Sequence, residues 1–479
     1  MIDSLGWMVV FWLAIAVMTV WLRWRWGRPG VGLVAAYLIY LAWIHWVPTV
    51  LYLIPWYWPL YSADIVTQGF VQSLVGVIGF ASGALLFSAW RRSARGQADA
   101  DPEPTDPALS DRRWPAVLFW LGLLGYFVLT PLLGRIPTFG ITATVLSNLL
   151  YAGVVLVWWQ SGREGRWRPK FFMLLTAGLW PLITVSGQGF LGAGLTLPTL
   201  LFLFVARTTR RPAPVALAGL AMVYLAVSLA VSYSANRTAI RAVVWNEQAS
   251  QQEQISASLL IFERFQWFNP RNEEHLDRIE VHTNQNHLVG LAVERLRLGV
   301  NDYVYGSTLG DVALMMIPRA LWPNKPVRVG GSAYVTQFTG VAFGGDTSVG
   351  MGQIMEFHVN FGVVGVLVGM LLFGLMMTAL DEAAAGALKH NNWLRFALWY
   401  VPALSLLQTG NNMVTLAAGF ASTWLILFLL MKVVTARTRD RAIPTIPAHQ
   451  TARLRDWSNP PGPPQPSRRQ RNPNKATLP

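Results

Sequence analysis

The chain has 479 residues, of which 53% are hydrophobic and only 13% charged, with 23 tryptophans and no cysteine. Its apolar residues come in runs near the ~20 that cross a bilayer, which excludes a soluble globular domain and indicates a polytopic membrane protein. The formal charge of +14 is not a nucleic-acid signal, because outside one central window the basic residues lie almost wholly in short connections between apolar runs. Without cysteine there is no disulfide, thiolate metal site or cysteine nucleophile.

In chain order, spans are expected at roughly 5–22, 31–47, 66–89, 115–133, 140–159, 171–186, 190–206, 214–231, 350–380, 394–409 and 412–431, about eleven helices by length. The first run follows Asp3 rather than a basic segment and has no small-residue cleavage site behind it, so it reads as a retained span. "RWRWGR", "RRSARG…DRR", "REGRWRPK", "RTTRR" and "KVVTARTRDR" are rich in arginine, whereas "PWYWPLYSAD", "GRIPTFG", "SGQG" and "TGNN" carry almost none. The positive-inside rule then puts the N-terminus outside, the C-terminus in the cytoplasm and the long polar stretch outside. The expected organisation is an N-terminal membrane region over 1–231, an outer helical loop over 232–348, a C-terminal membrane region over 349–432 and a disordered basic cytoplasmic tail over 433–479.

Several local features have plain readings. Tyr52, Trp56, Tyr57 and Trp58 beside Pro55 and Pro59 form an interfacial aromatic belt, for which lipid anchoring is a simpler role than sugar stacking. Gly79 with Gly83, and Gly365 with Gly369, have the spacing that lets helix backbones approach. "GQGFLG" at 187–192 fits a dinucleotide fingerprint but joins two membrane spans without a preceding strand, and "DAD" at 99–101 lies in a Pro- and Asp-rich linker. Neither carries chemistry.

The outer loop is too long and too patterned for a mere connection. Helices are expected at about 245–268, stopped by Asn269-Pro270, at about 286–298, stopped by Gly299, and at about 308–321, starting at a Ser307 cap and stopping at "WPNKP". "VRVGGSAYVTQFTGVAFGGDTS" is glycine-rich and reads as a flexible lid or wall. The loop contains a run of arginines, the three histidines His275, His282 and His287, and, where it re-enters the membrane, Glu356, His358 and Asn360.

"IPRALWPNKP", the glycine-rich stretch and "MGQIMEFHVNFGVVG" entering a membrane helix together resemble the Wzy-type polymerases of bacterial surface polysaccharides. The likeness covers roughly 300–375. It implies a GT-C-like, metal-independent enzyme of the bacterial inner membrane that needs no cofactor. Such an enzyme moves a growing glycan from an undecaprenyl diphosphate carrier onto a fresh lipid-linked repeat unit on the periplasmic face. The partners it implies are the lipid-linked oligosaccharide, the bilayer and a chain-length regulator protein.

The residues fit that chemistry on their own terms. A lipid diphosphate leaving group calls for arginine, whose planar, always-charged fork matches phosphate oxygens. Arg319 in its apolar "IPRALWP" setting and Arg237 just after the eighth span are the leading candidates, with Arg264, Lys325 and Arg328 as further phosphate or headgroup contacts. An acceptor hydroxyl calls for a base. Glu356 is the foremost, since an ionisable residue near the start of a membrane helix is a functional candidate and Asn360 shares its face. His287, His358 and Asp311 are others, and His358 and Asn360 are also expected to contact the diphosphate or substrate. Glu356 has a second reading open to it, as the partner of a cap arginine. Two rival activities remain beside polymerisation: a lipid-glycan ligase, whose histidine loop "NQNHLVGLAVERLRLG" faintly resembles, and a flippase or transporter of lipid-linked sugar.

Overall fold

A computed structural model describes residues 2–28, 30–95, 107–133, 137–209, 212–246, 249–315, 331–343 and 349–442. Every regular element among them is helical: α1 (Ile2–Arg25), α2 (Leu33–Leu41), α3 (Val47–Leu51), α4 (Ala63–Arg95), α5 (Trp114–Leu124), α6 (Thr130–Leu133), α7 (Pro137–Arg163), α8 (Trp167–Gln188), α9 (Leu191–Thr208) and α10 (Pro212–Val244). The long loop holds α11 (Gln251–Glu263), α12 (Glu273–Thr283), α13 (Gln285–Arg297), α14 (Ser307–Met315) and α15 (Gly331–Thr339), and the described chain closes with α16 (Gly352–Lys389), α17 (Trp393–Ser405) and α18 (Met413–Ala442).

Nine helices among the described residues are long and apolar enough to cross a membrane, so the protein is a polytopic helical membrane protein. Two expected spans are not among the nine. α7 is helical through its expected region, while α17 has 13 residues, about 20 Å of helix against a hydrocarbon core of about 30 Å. π-helical turns at Ala42–Trp46 and Gly125–Leu129 each come just before a proline, Pro48 and Pro131. A proline lacks the N–H for the i−4 bond and its ring crowds that carbonyl, so the preceding turn widens.

α4 and α16 form the central pair. A Cβ on Gly79 would meet Leu367 O at 2.5 Å and one on Gly83 would meet Leu371 O at 2.0 Å, the close backbone approach expected of that spacing. Phe80, Tyr37 and Phe373 seal the pair, with Tyr37 stacked on Phe80 at 4.6 Å between centroids.

Arginine-rich ends gather on one side. Arg23 pairs with Asp381 at 3.0 Å, Arg28 with Glu382 at 2.8 Å, and Arg163 donates to Asn391 at 2.5 Å. Asp381 is fully buried, and its Oδ1 accepts from the backbone N–H groups of Val31, Gly32 and Leu33 at 2.7–3.1 Å. It thereby caps the positive end of α2.

The long loop departs from expectation in four ways. α10 continues as helix well past 231, and the next helix is the shorter α11, started by a Ser250/Glu253 capping box. α12 was not expected. Within the glycine-rich stretch Gly331–Thr339 forms α15, with Val335 and Phe338 buried, while 327–330 and 344–348 lie outside the described residues. α13 is also not above the spans but wedged among them, since a Cβ on Gly69 of α4 would meet Asn286 O at 2.0 Å and one on Gly290 would meet Ile65 O at 1.9 Å.

α16 is not one straight helix. Phe361 (φ −142°, ψ 19°) and Gly362 (φ 64°, ψ −154°) break it, and Gly362 lies in a backbone region essentially restricted to glycine. The chain then doubles back. A Cβ on Gly365 would meet Phe357 O at 2.5 Å, and one on Gly369 would meet the Phe357 ring at 2.6 Å, although residues eight and twelve apart in a straight helix are about 12 and 18 Å distant. Gly365 and Gly369 therefore admit the helix's own returning arm, not a neighbouring span.

Candidate functional site

The returning arm, Gly352 to Asn360, is buried at all nine positions. Its residues face different neighbours. Ile354 packs on Gly76 of α4, and Gln353 accepts from Tyr37 OH at 3.2 Å while donating to Gln408 O and Asn411 O, each at 3.2 Å. The segment between α17 and α18 thus meets the arm.

Glu356 is fully buried. Its Oε2 accepts from the backbone N–H of Met413 at 2.6 Å, the first residue of α18, so the carboxylate sits at a helix N-terminus where backbone N–H groups favour negative charge. Its Oε1 has no hydrogen bond of ordinary geometry among the described residues. Thr308 and Asp311 of α14 lie within interaction reach of the carboxylate, and Asp311 accepts from Tyr334 OH of α15 at 3.3 Å. Loop helices and membrane arm meet at this carboxylate.

Asn360 shares the Glu356 face, as the i,i+4 spacing requires: its Nδ2 donates to Glu356 O and to Thr308 Oγ1, both at 2.7 Å, and its Oδ1 accepts from Gly306 N at 2.8 Å. With Val304 N donating to Val359 O at 3.0 Å, these bonds stitch the loop to the arm, and they commit the amide of Asn360 to structure. His358 points elsewhere, its Nδ1 3.1 Å from Gln72 Oε1 of α4.

His287, half-buried on α13, stacks on Tyr61 at 3.9 Å with 13° between the rings, and its Nδ1 is buried without a hydrogen-bond partner among the described residues. Burial holds its pKa below the ordinary histidine value against the opposing charge of Glu280. The ring is neutral at pH 7.

The candidate arginines do not all come into view. Arg319, Lys325 and Arg328 lie outside the described residues. Arg237, half-buried on the extension of α10, stands with Arg241 close enough to His282 to help burial lower its pKa. Arg264 is exposed at the end of α11.

Three polar groups escaped the sequence reading. Glu280 of α12 is fully buried, accepting from Tyr52 OH, from Tyr57 OH at 2.7 Å and from Leu60 N at 3.0 Å. Half of the aromatic segment therefore points inward, while Trp56 and Trp58 stay exposed. The signal existed, because Leu276, Ile279, Glu280 and Thr283 recur on one helical face. His45, in the first π-helical turn, and Asn286 bond at 2.6 Å, both buried, and nothing local marks that pairing. Asp381 lies one residue past the expected span 350–380, and nothing local marks its partners.

Compared with protein-family models, curated proteins and solved structures, the chain finds no match in any of the three.

Proposed function

We propose that this protein is a glycosyltransferase of the bacterial inner membrane that polymerises undecaprenyl-diphosphate-linked oligosaccharide repeat units into surface polysaccharide. The observation that carries the reading is the Glu356 carboxylate, buried where the loop meets the returning arm, with Oε1 lacking a hydrogen bond of ordinary geometry among the described residues and the Thr308 side chain within reach. An oxygen so disposed suits an incoming hydroxyl. The acceptor sugar O–H donates to Oε1, its oxygen bonds the anomeric carbon of the growing glycan, and the carbon–oxygen bond to the carrier diphosphate breaks as the proton passes to Glu356. Arg319 and Arg237, with Arg264, Lys325 and Arg328, are assigned to the diphosphate, whose charge grows as it departs. His287 is assigned to the acceptor side and His358 to orienting the arm.

Eleven spans, a GT-C-like arrangement, an outside N-terminus and a cytoplasmic C-terminus belong to the same proposal. The gathering of Arg23, Arg28, Arg91 and Arg163 on one side supports the orientation through the positive-inside rule.

A second reading, transport of lipid-linked sugar, is favoured by one observation. The broken α16 and short α17 bring helix ends together inside the protein, an arrangement transporters also use. Purified protein given labelled single-repeat lipid-linked substrate in detergent, without compartments, separates the two. Products of two or more repeats support the polymerase; absence of any product from folded protein overturns it.

A further inference from the structure

On the arginine-rich side, far along the chain from the loop, α1, α2 and α9 enclose a groove of about 530 Å³. Its walls are apolar, including Trp12, Val17, Trp24, Ile39 and Leu203, and its only charged lining residues among the described ones are Arg23 and Arg207. Val17, Trp24 and Ile39 are well exposed, so the groove opens sideways to the surroundings of the spans. In a membrane protein those surroundings are lipid chains.

The charge at the closed end does not balance. Arg23 is 3% exposed and bonds Asp381 through Nη1, but its Nη2 is buried and unbonded among the described residues. Arg207 makes no described ion pair, rests over Phe204 at 5.9 Å, and its Nη1 is likewise buried and unbonded. Asp381 is the acid shared by both, and it already serves the N-terminus of α2. Glu382 is held by Arg28. Two guanidinium groups and a helix N-terminus thus share one carboxylate in an apolar setting, where an uncompensated cation is costly.

We propose that this groove binds an anionic membrane lipid, its phosphate at Arg23 and Arg207 and one acyl chain along α1 and α2. The dimensions agree: Trp12 to Trp24 of α1 line the groove, about 18 Å of helix, close to the roughly 15 Å of one leaflet. Planar guanidinium N–H groups match phosphate oxygens, and a zwitterionic headgroup would bring a further cation to a site already in excess. The site does not rest on the glycosyltransferase reading.

The test is native mass spectrometry of the full chain in mild detergent, offered phosphatidylglycerol and phosphatidylcholine with the same acyl chains. Phosphatidylglycerol should be retained about 10-fold more strongly. Arg207→Gln should reduce that preference to within about twofold, and Ala35→Trp, which fills the groove, should abolish retention. Exposed Arg168→Gln should leave the preference unchanged. Equal retention of the two lipids, a preference that survives both groove variants, an equal loss in Arg168→Gln, or displacement of the lipid by inorganic phosphate would each overturn the proposal.

Discussion

The Phe357 ring lies where a side chain on Gly369 would be, 2.6 Å from the position of its Cβ. That contact holds the arm bearing Glu356 against its own helix. Gly369→Ala should therefore act as an overpacking substitution, costing about 1–3 kcal/mol, seen as a lowered melting temperature. Gly386→Ala, in the same helix with open space around its Cβ, should be neutral or slightly stabilising. Equal melting temperatures for the two variants would contradict the returning arm.

Glu356→Gln retains the shape and the acceptor for Met413 N–H. If Glu356 is the base, transfer should fall by roughly 10²–10⁴-fold with little change in melting temperature. Lipid-linked substrate assays and thermal melts of one preparation check this. A large stability loss accompanying the activity loss would mean that the carboxylate neutralises a cation instead, since breaking a buried pair costs about 3–5 kcal/mol.

Asp381 joins a buried ion pair to three backbone N–H groups at the start of α2. Asp381→Ala should destabilise by about 3–5 kcal/mol, and Asp381→Asn, which keeps an acceptor for the backbone, by less. Melting temperature and yield from membranes report the ranking; Ala and Asn tolerated alike would remove the cap from the account.

Acid should loosen the long loop. Asn269 N–H donates to His275 Nδ1 at 3.1 Å, while His275 Nε2 lies 2.9 Å from Gln266 Oε1, a pattern that requires the neutral ring with its proton on Nε2. Burial, then the charge of Arg278, lowers the His275 pKa, and burial lowers those of His282 and His287. Between each lowered pKa and the ordinary value near 6.5 the unfolded chain binds the proton and the folded chain does not, so stability rises with pH through that window and is lost as pH falls below about 6.5. Buried His275 contributes up to about 1.4 kcal/mol per pH unit there, and the more exposed His282 and His287 less. Thermal melts at pH 7.5 and 5.5 should differ, and His275→Gln should narrow the difference.

Reporter fusions test the orientation. Insertions at Gly165 and at the C-terminus should report cytoplasm, and one at exposed Arg271, before α12, should report periplasm. A cytoplasmic signal at Arg271 would overturn the outer loop and the functional reading together.

Hydropathy and the alternation of arginine determined by themselves that this is a helical membrane protein with a large polar loop, because long apolar runs cannot be solvated and each run reports its own burial. The i,i+4 spacing likewise set Glu356 and Asn360 on one face, a local property of any helix. The tertiary structure alone decided that Glu356 rides on a returning arm. That reversal turns on the backbone of Gly362 and on Phe357 meeting Gly365 and Gly369, and a glycine at a hairpin is spelled like one at a helix crossing. The same holds for Asp381 and Asn286, whose partners lie 350 and 241 residues away. Such pairings exist only once the spans have packed, and periodicity within one span carries no trace of them.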